Sequence, residues 1–313
     1  MNASIYTSNT TTNNATNIAT NVRTPSGMKL RIATWNIHKG VSTVGTRPRV
    51  HGIKQAITSM APDILFLQEV QGRHDLLALR HAGKWPAQAQ HEFLAGDTHH
   101  VAYGMNAVYD HGHHGNALLS CFPIESSFNH DVSDHAFESR GILHCVLHLG
   151  DIPVHCYVVH LGLFAGSRMR QTEALIEAVT STAPAEAPLL IAGDFNDWTN
   201  SLSKTLRDRL HVAEVFDQKL SSRSFGTYLR RLSGRGPKKT PARTFPAAMP
   251  VLQLDRVYVR GFDVHSAQVL HGASWARLSD HAPIVAELSL QASPTLSKTL
   301  HESREEQHVG HKL

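Results

Sequence analysis

Six apolar stretches of strand length in this 313-residue chain begin or end in a polar side chain that an apolar run does not carry freely. They are "TWNIHKG" with Asn36, "FLQEV" with Glu69, "VVHLGL" with His160, "IAGDFND" with Asp194 and Asn196, "LDRVYV" with Asp255, and "LSDHAP" with Asp280 and His281. A carboxylate or imidazole among apolar neighbours needs a hydrogen-bond partner or a cation. Singly, each has an ordinary explanation. Asn36 is a turn former, Glu69 lies beyond the core, His160 is a satisfied core histidine, and Asp194 makes an Asx turn. Asp255 pairs with its neighbour Arg256, and Asp280 with His281 is a loop dyad. Six such coincidences are improbable together, and strand ends are where a rigid sheet can hold a site.

The rest of the chain fits around those strands. Residues 51–60, "HGIKQAITSM", place Ile53, Ala56, Ile57 and Met60 on one helical face. Pro62 follows, and "ILFLQEV" reads as a buried strand. "NALLSCF", "GILHCVLHL", "VHCYVVHL", "LDRVYVRG" and "APIVAELSL" read as further strands, the second and third joined as a hairpin. "SRMRQTEALIEAVTST" reads as an amphipathic helix. Short turns between neighbouring strands favour antiparallel pairing, with helices packed outside two sheets. Residues 1–27 are Asn/Thr-rich and are expected to be disordered. Met28, directly before the first strand, offers a second place to start. Residues 28–291 form one domain, and 292–313 form a polar tail.

Composition narrows the class without deciding it. An apolar content of 41% with 18% charged residues is ordinary for a globular domain. A net charge of +4, with 23 histidines, suits phosphate-bearing partners without demanding them. No stretch reaches the ~18 apolar residues of a membrane span. No basic segment followed by an apolar core opens the chain. Three cysteines, Cys121, Cys145 and Cys156, have neither zinc nor disulfide spacing, which favours a reduced, cytoplasmic setting. A turn at Gly150–Asp151 places Cys145 opposite Cys156, where both are expected to be packed as small apolar thiols.

The strand-end set makes chemical sense as a unit. Oxygen donors without cysteine suit a hard cation such as Mg²⁺ or Mn²⁺. Glu69, Asp280 and Asn36 supply such donors. Asp194, helped by Asn196, is placed to take a proton from water. His281, paired with Asp255, would donate to phosphoryl oxygens or transfer a proton, and His160 would do the same from the other side. The expectation is metal-assisted hydrolysis of a phosphate ester with no covalent nucleophile.

In order and content, "WNIH", "LQEV", "GDFND", "LDRVYV" and "SDHAP" resemble the motifs of the endonuclease/exonuclease/phosphatase family, the DNase I-like fold. The resemblance covers roughly 29–290. It implies an α+β, four-layer αββα sandwich of two mostly antiparallel sheets, a site at one edge of the paired sheets, and a divalent metal, usually Mg²⁺. It places the metal glutamate on Glu69 and the first-strand asparagine on Asn36. Asp194 and Asn196 take the "GDxN" positions, Asp280 and His281 the terminal pair, and Asp255 the aspartate that orients the histidine. His160 falls where some members carry histidine and others tyrosine. Within the family, "AYGMNAVYDHGHHGNALLS", "CYVVHLGL", "AGDFNDW" and "ARTFPA" are similar to a bacterial YbhP-like subgroup. Two departures, Leu163 in "HLGLFAGS" and the missing disulfides, point away from a dedicated DNA nuclease.

Substrate choice is less legible. Residues 97–116 hold five histidines and read as a loop leading to Asn116, a phosphate contact on the family reading. Residues 218–243 carry eight Lys/Arg and no acid, interleaved with Phe225 and Tyr228. That pattern suits a nucleic-acid backbone or anionic lipid. Arg140 and Arg243 are the other expected phosphate contacts. A monomer is expected. The competing expectation is a non-catalytic nucleic-acid- or membrane-binding module on the same fold.

Overall fold

A computed structural model describes residues 27–42, 47–134, 138–217 and 242–291. The expected disordered N-terminal segment up to residue 26, the polar tail from 292 and the basic stretch 218–241 lie outside the described residues.

Twelve strands are described: β1 Lys29–Asn36, β2 Ile64–His74, β3 His100–Tyr109, β4 Gly112–Ser120, β5 Ile124–Asp131, β6 Gly141–Leu149, β7 Ile152–His160, β8 Leu189–Asp194, β9 Ala213–Glu214, β10 Asp255–Arg260, β11 Phe262–Val269 and β12 Ile284–Leu290. Six helices accompany them: α1 Val50–Met60, α2 Asp75–Arg80, α3 Gln90–Ala95, α4 Ala165–Thr182, α5 Ser203–Leu210 and α6 Ala273–Ala276. The strands form two six-stranded sheets, in the orders β11-β12-β1-β2-β4-β3 and β5-β6-β7-β8-β10-β9.

Apolar alternation stacks these sheets in layers. Ile32, Phe66 and Leu118 of the first sheet meet Cys156, Leu190 and Val257 of the second in a shared core. The opposite face of the first sheet, with Ala33, Trp35, Leu65 and Leu67, is covered by Ile53, Ile57 and Leu94 from α1 and α3. The outer face of the second, with Tyr157, Val159 and Ile191, is covered by Leu175, Val179 and Leu206 from α4 and α5. Because each sheet is apolar on both faces, helices are required outside, and the result is the αββα sandwich.

The sheets are not wholly antiparallel. β1 pairs with β2, and β7 with β8, in parallel. Each parallel pair is joined through a helix, α1 or α4, long enough to return the chain to the same end. Both parallel pairs have antiparallel neighbours, so β12-β1-β2-β4 and β6-β7-β8-β10 repeat one arrangement.

One local reading changes. The His-rich stretch is not a loop: residues 100–109 and 112–120 are the hairpin β3–β4, paired from His100↔Ser120 to Tyr109↔Gly112. Alternation there is masked by histidines that pack as aromatic faces, such as His113 of β4, which lies against Tyr103 with ring centroids 5.7 Å apart. Strands β3, β5, β9 and β11 carry no clean apolar alternation and are not apparent in the sequence. Cys145 and Cys156 are direct register partners, both fully buried and free. No helix among the described residues is long and apolar enough to cross a membrane.

Buried histidine also makes the fold sensitive to acid. His144 stacks on Tyr157 at 4.4 Å, and its Nε2 lies 3.1 Å from Nδ1 of His155. Burial, reinforced by His155, lowers its pKa to about 4. The folded form therefore stays neutral where the unfolded chain takes a proton, near pH 6.5. Stability from His144 is complete above about 6.5 and is lost as pH falls toward about 4, at up to ~1.4 kcal/mol per pH unit. Melting wild type and His144→Phe between about pH 7 and 4.5 should show the steeper fall in wild type; equal slopes would remove this account.

Candidate active site

The same alternation that builds the core delivers the site. On β7 the inward residues are Val154, Cys156 and Val158, and the next inward position is His160. On β8 they are Leu190 and Ala192, followed by Asp194. On β10, Val259 and Val257 lead back to Asp255, and on β1, Leu30 and Ile32 lead through Thr34 to Asn36. Each strand therefore ends its inward apolar stripe in a polar side chain at one edge of the sandwich.

Two backbone devices sharpen the placement. β2 carries a bulge between Leu67 and Val70, and Glu69 within it has φ 54°. A glutamate in left-handed conformation inside a strand is strained, and such strain gathers at functional positions. Gly193, before Asp194, has φ 152°, and a Cβ there would lie 1.9 Å from the Val159 carbonyl oxygen. Only glycine lets β8 approach β7 with Asp194 turned inward.

Asp194 is the hub. Its Oδ1 accepts from the Asn196 backbone N–H at 3.0 Å. Its Oδ2 accepts from Asn36 Nδ2 at 3.1 Å, across the gap between the sheets. The same Oδ2 lies 3.7 Å from Nε2 of both His160 and His281. Asn36 Nδ2 also reaches Glu69 Oε1 at 3.3 Å. His281 Nδ1 lies 2.9 Å from Asp255 Oδ2, which also accepts from the Thr244 hydroxyl. Arg256 turns away from Asp255 and pairs with buried Glu214 at 3.3 Å, so the neighbouring-ion-pair reading of Asp255 fails.

Asp280 is tied in from the loop. Ser279 Oγ donates to the Asn36 carbonyl at 2.7 Å, and Asp280 Oδ1 lies 3.4 Å from His38 Nδ1. Trp35 Nε1 donates to the His281 carbonyl at 2.9 Å. Asn196 Nδ2 and Arg140 Nε both donate to the Leu161 carbonyl, which places the guanidinium beside the end of β7.

The charges are set in opposition. Burial, with Asp255 nearby, raises Asp194 to about 6, against the pull of His281. Burial disfavours a charge on His281 too, but Asp255 and Asp194 outweigh it and raise its pKa to about 10. Burial holds His160 well below the usual range, and the Arg140 and His281 cations push the same way. One imidazolium and one neutral imidazole thus flank a single carboxylate oxygen. Groups whose proton affinities are forced apart are suited to acid–base work.

The sequence-predicted residues mostly meet here. Asn36, Glu69, His160, Asp194, Asn196, Asp255, Asp280 and His281 form one connected network, with Arg140 beside it. Asn116 does not face the cleft. It is fully buried between the sheets, its Nδ2 donating to the Gly141 carbonyl at 2.8 Å and the Val158 carbonyl at 3.4 Å. The reading of Asn116 as a phosphate contact is therefore corrected to a tie between sheets. Arg243 is exposed, next to Thr244. Thr244 and Ser279 were missed; each lies within a quoted motif, "ARTFPA" or "LSDHAP", but a hydroxyl gives no charge signal.

The donor chemistry fits a hard cation in two ways. Glu69, Asp280 and Asn36 offer oxygens on the first-sheet side, with Glu69 and Asp280 only partly buried. Asp194, Asp255 and His281 have ligand atoms within 4.8 Å of one another. In that second group Asp255 already holds His281 and Thr244, and a protonated imidazole is no ligand. The first group is the better fit.

Two apolar-cored sheets with helices outside and acids, amides and imidazoles at one edge define the DNase I-like class of fold. The chain belongs to the endonuclease/exonuclease/phosphatase family, which its residues 33–281 match. It is 40% identical to the uncharacterized protein YbhP of Escherichia coli K12 over 264 residues, 83% of this chain and 96% of that one. Among solved structures, an endonuclease/exonuclease/phosphatase from Bacteroides vulgatus superposes with a TM-score of 0.63 at 16% identity, covering 84% of this chain and all of that one. The human nocturnin catalytic domain superposes with a TM-score of 0.59 at 20% identity, covering 84% of this chain and 94% of that one. At these identities the structures speak for the fold.

Proposed function

We propose that this chain is a divalent-metal-dependent hydrolase of phosphate esters, using Mg²⁺ or Mn²⁺. The observation that carries the reading is the Asp194 carboxylate, shared by Asn36, His160 and His281 at the mouth of the sandwich. Glu69, Asn36 and Asp280 would hold the cation, which when bound would offset charge on the phosphate oxygens.

The chain's own residues would do the rest. Asn196 fixes Oδ1 of Asp194, leaving Oδ2 to accept the proton of the attacking water. Water adds to phosphorus as the ester oxygen leaves. His281, kept cationic by Asp255, donates to the phosphoryl oxygens and is placed to protonate the leaving oxygen. His160 stays neutral on the far side of Oδ2, and Arg140 attracts the phosphate beside it. Arg243 is a more distant contact at the rim. A cytoplasmic monomer with unpaired cysteines completes the proposal.

The test is turnover by the purified full chain of a panel with Mg²⁺, Mn²⁺ or EDTA. The panel holds bis-p-nitrophenyl phosphate, p-nitrophenyl phosphate, plasmid DNA, RNA, sphingomyelin and cardiolipin, with Asp194→Ala as the blank. Metal-dependent cleavage lost in EDTA and in the blank is expected. Tight metal-independent binding with no turnover of any ester would instead favour the binding-module reading, which the intact acid and histidine set argues against.

A further inference from the structure

Seven of the thirteen large apolar side chains exposed among the described residues, Leu252 included, lie on the loops and the start of the helix that leave the site edge. The segment after β7 exposes Leu163 (59%), Phe164 (67%) and, near the start of α4, Met169 (65%). The loop after β8 exposes Trp198 (48%), and the loop before β10 exposes Met249 (74%) and Val251 (53%). These three segments also carry or support His160, Asp194 and Asp255.

They are joined to one another. The Arg168 guanidinium lies 4.7 Å over the Trp198 ring and donates to the Leu163 carbonyl. Arg256 links the second loop to the third, donating to the Asp197 carbonyl at 3.1 Å and to Gln253 Oε1 at 2.9 Å. Ala247 N donates to the Asp280 carbonyl at 2.7 Å, bringing the third loop to the site. The apolar tips therefore rim one side of the cleft.

We propose that this rim docks on the surface of an anionic phospholipid bilayer and seats the cleft over headgroup phosphodiesters. The proposal rests on the phosphoesterase reading for its chemistry, but docking itself does not need turnover. Two observations choose lipid. Nucleic-acid grooves use aromatic platforms on which bases stack, whereas Leu163, Met169, Met249 and Val251 have no ring and Arg168 covers one face of Trp198, which leaves Phe164 alone as an open platform. Phe, Leu, Met and Trp tips of this kind suit the boundary between headgroups and acyl chains. The second is charge. The chain passes from Asp217 to Ala242 through a stretch that, with Arg243, holds eight Lys/Arg and no acid. Such a stretch adds attraction toward an anionic surface.

The test uses the full chain and vesicles of phosphatidylethanolamine with phosphatidylglycerol, against phosphatidylcholine alone. Co-sedimentation reads binding, and bis-p-nitrophenyl phosphate reads soluble turnover. Wild type should bind the anionic vesicles. Phe164→Glu and Met249→Glu should each weaken binding about tenfold while keeping soluble turnover within about twofold. Soluble turnover without vesicle binding would overturn docking and leave the catalytic reading intact. Vesicle binding lost in both variants, with no turnover of any ester, would uphold docking and defeat the catalytic reading. Loss of oligonucleotide binding in the variants, or of a dimer in sedimentation, without vesicle binding would assign the rim elsewhere and overturn the proposal.

Discussion

Asp194→Asn is expected to lower kcat about 10²- to 10⁴-fold while leaving the fold intact. The asparagine keeps the shape of the side chain, and its oxygen can still accept from the Asn196 N–H at the position of Oδ1. What is lost is the oxygen that receives a proton and that accepts from Asn36 Nδ2. The substitution also removes a carboxylate whose burial already works against its charge, beside a second carboxylate, Asp255. Relief of that burial offsets the weaker hold on His281, so the melting temperature should stay within a few degrees of wild type. Steady-state turnover of a chromogenic diester with Mg²⁺, beside a thermal melt, gives both readings. Activity within tenfold of wild type in a folded variant would remove Asp194 from the proposed proton transfer.

One residue earlier the expectation reverses. Gly193→Ala should cost stability on the order of 3 kcal/mol or more, because the added carbon meets the backbone of the paired strand. The carbonyl oxygen and carbon of Val159 would lie 1.9 and 2.8 Å from it. Neither is the free end of a side chain that can swing aside, so β7 and β8 must separate. A denaturant titration with unchanged m-value measures the loss. A cost below about 1 kcal/mol would mean that the parallel pair yields more easily than its register suggests. Adjacent positions would thus divide chemistry from architecture.

What the sequence could disclose follows from the same division. The inward stripe of β7 announces His160, because alternation projects a residue onto a face without knowing the fold. Asp194, Asp255 and Asn36 are legible for the same reason. Asn116 misled because the family resemblance assigned it to phosphate, whereas it sits in the middle of β4, where the Gly141 and Val158 carbonyls of the opposite sheet satisfy its amide. Sequence gives the face of such a residue and not its depth. Strands β3 and β5 were illegible for a different cause: their histidines and exposed residues break the apolar pattern, while the ladders to β4 and β6 hold them extended. The mostly antiparallel sheets were expected from the short turns; the two parallel pairs are the places where a helix, α1 or α4, intervenes instead. Thr244 acts through a hydroxyl bonded to Asp255 eleven residues on, and Ser279 through one that reaches the remote Asn36 carbonyl as well as the nearby His281 N–H, so neither carries a charge signal.

The repeat of β12-β1-β2-β4 in β6-β7-β8-β10 gives the molecule two jaws. One jaw carries Asn36 and Glu69, the other His160, Asp194 and Asp255, and the Asn36–Asp194 hydrogen bond is the point where they close. That bond ties the jaws at the mouth but does not alone set the width of the bite. The width is gauged by the thickness of the packed layer behind it, from Phe66 and Leu118 on one side to Cys156 and Leu190 on the other. Cores tolerate changes of volume only by shifting what surrounds them. The buried thiol of Cys156, although chemically idle, therefore belongs to the calibration of the candidate site as surely as the residues that line it.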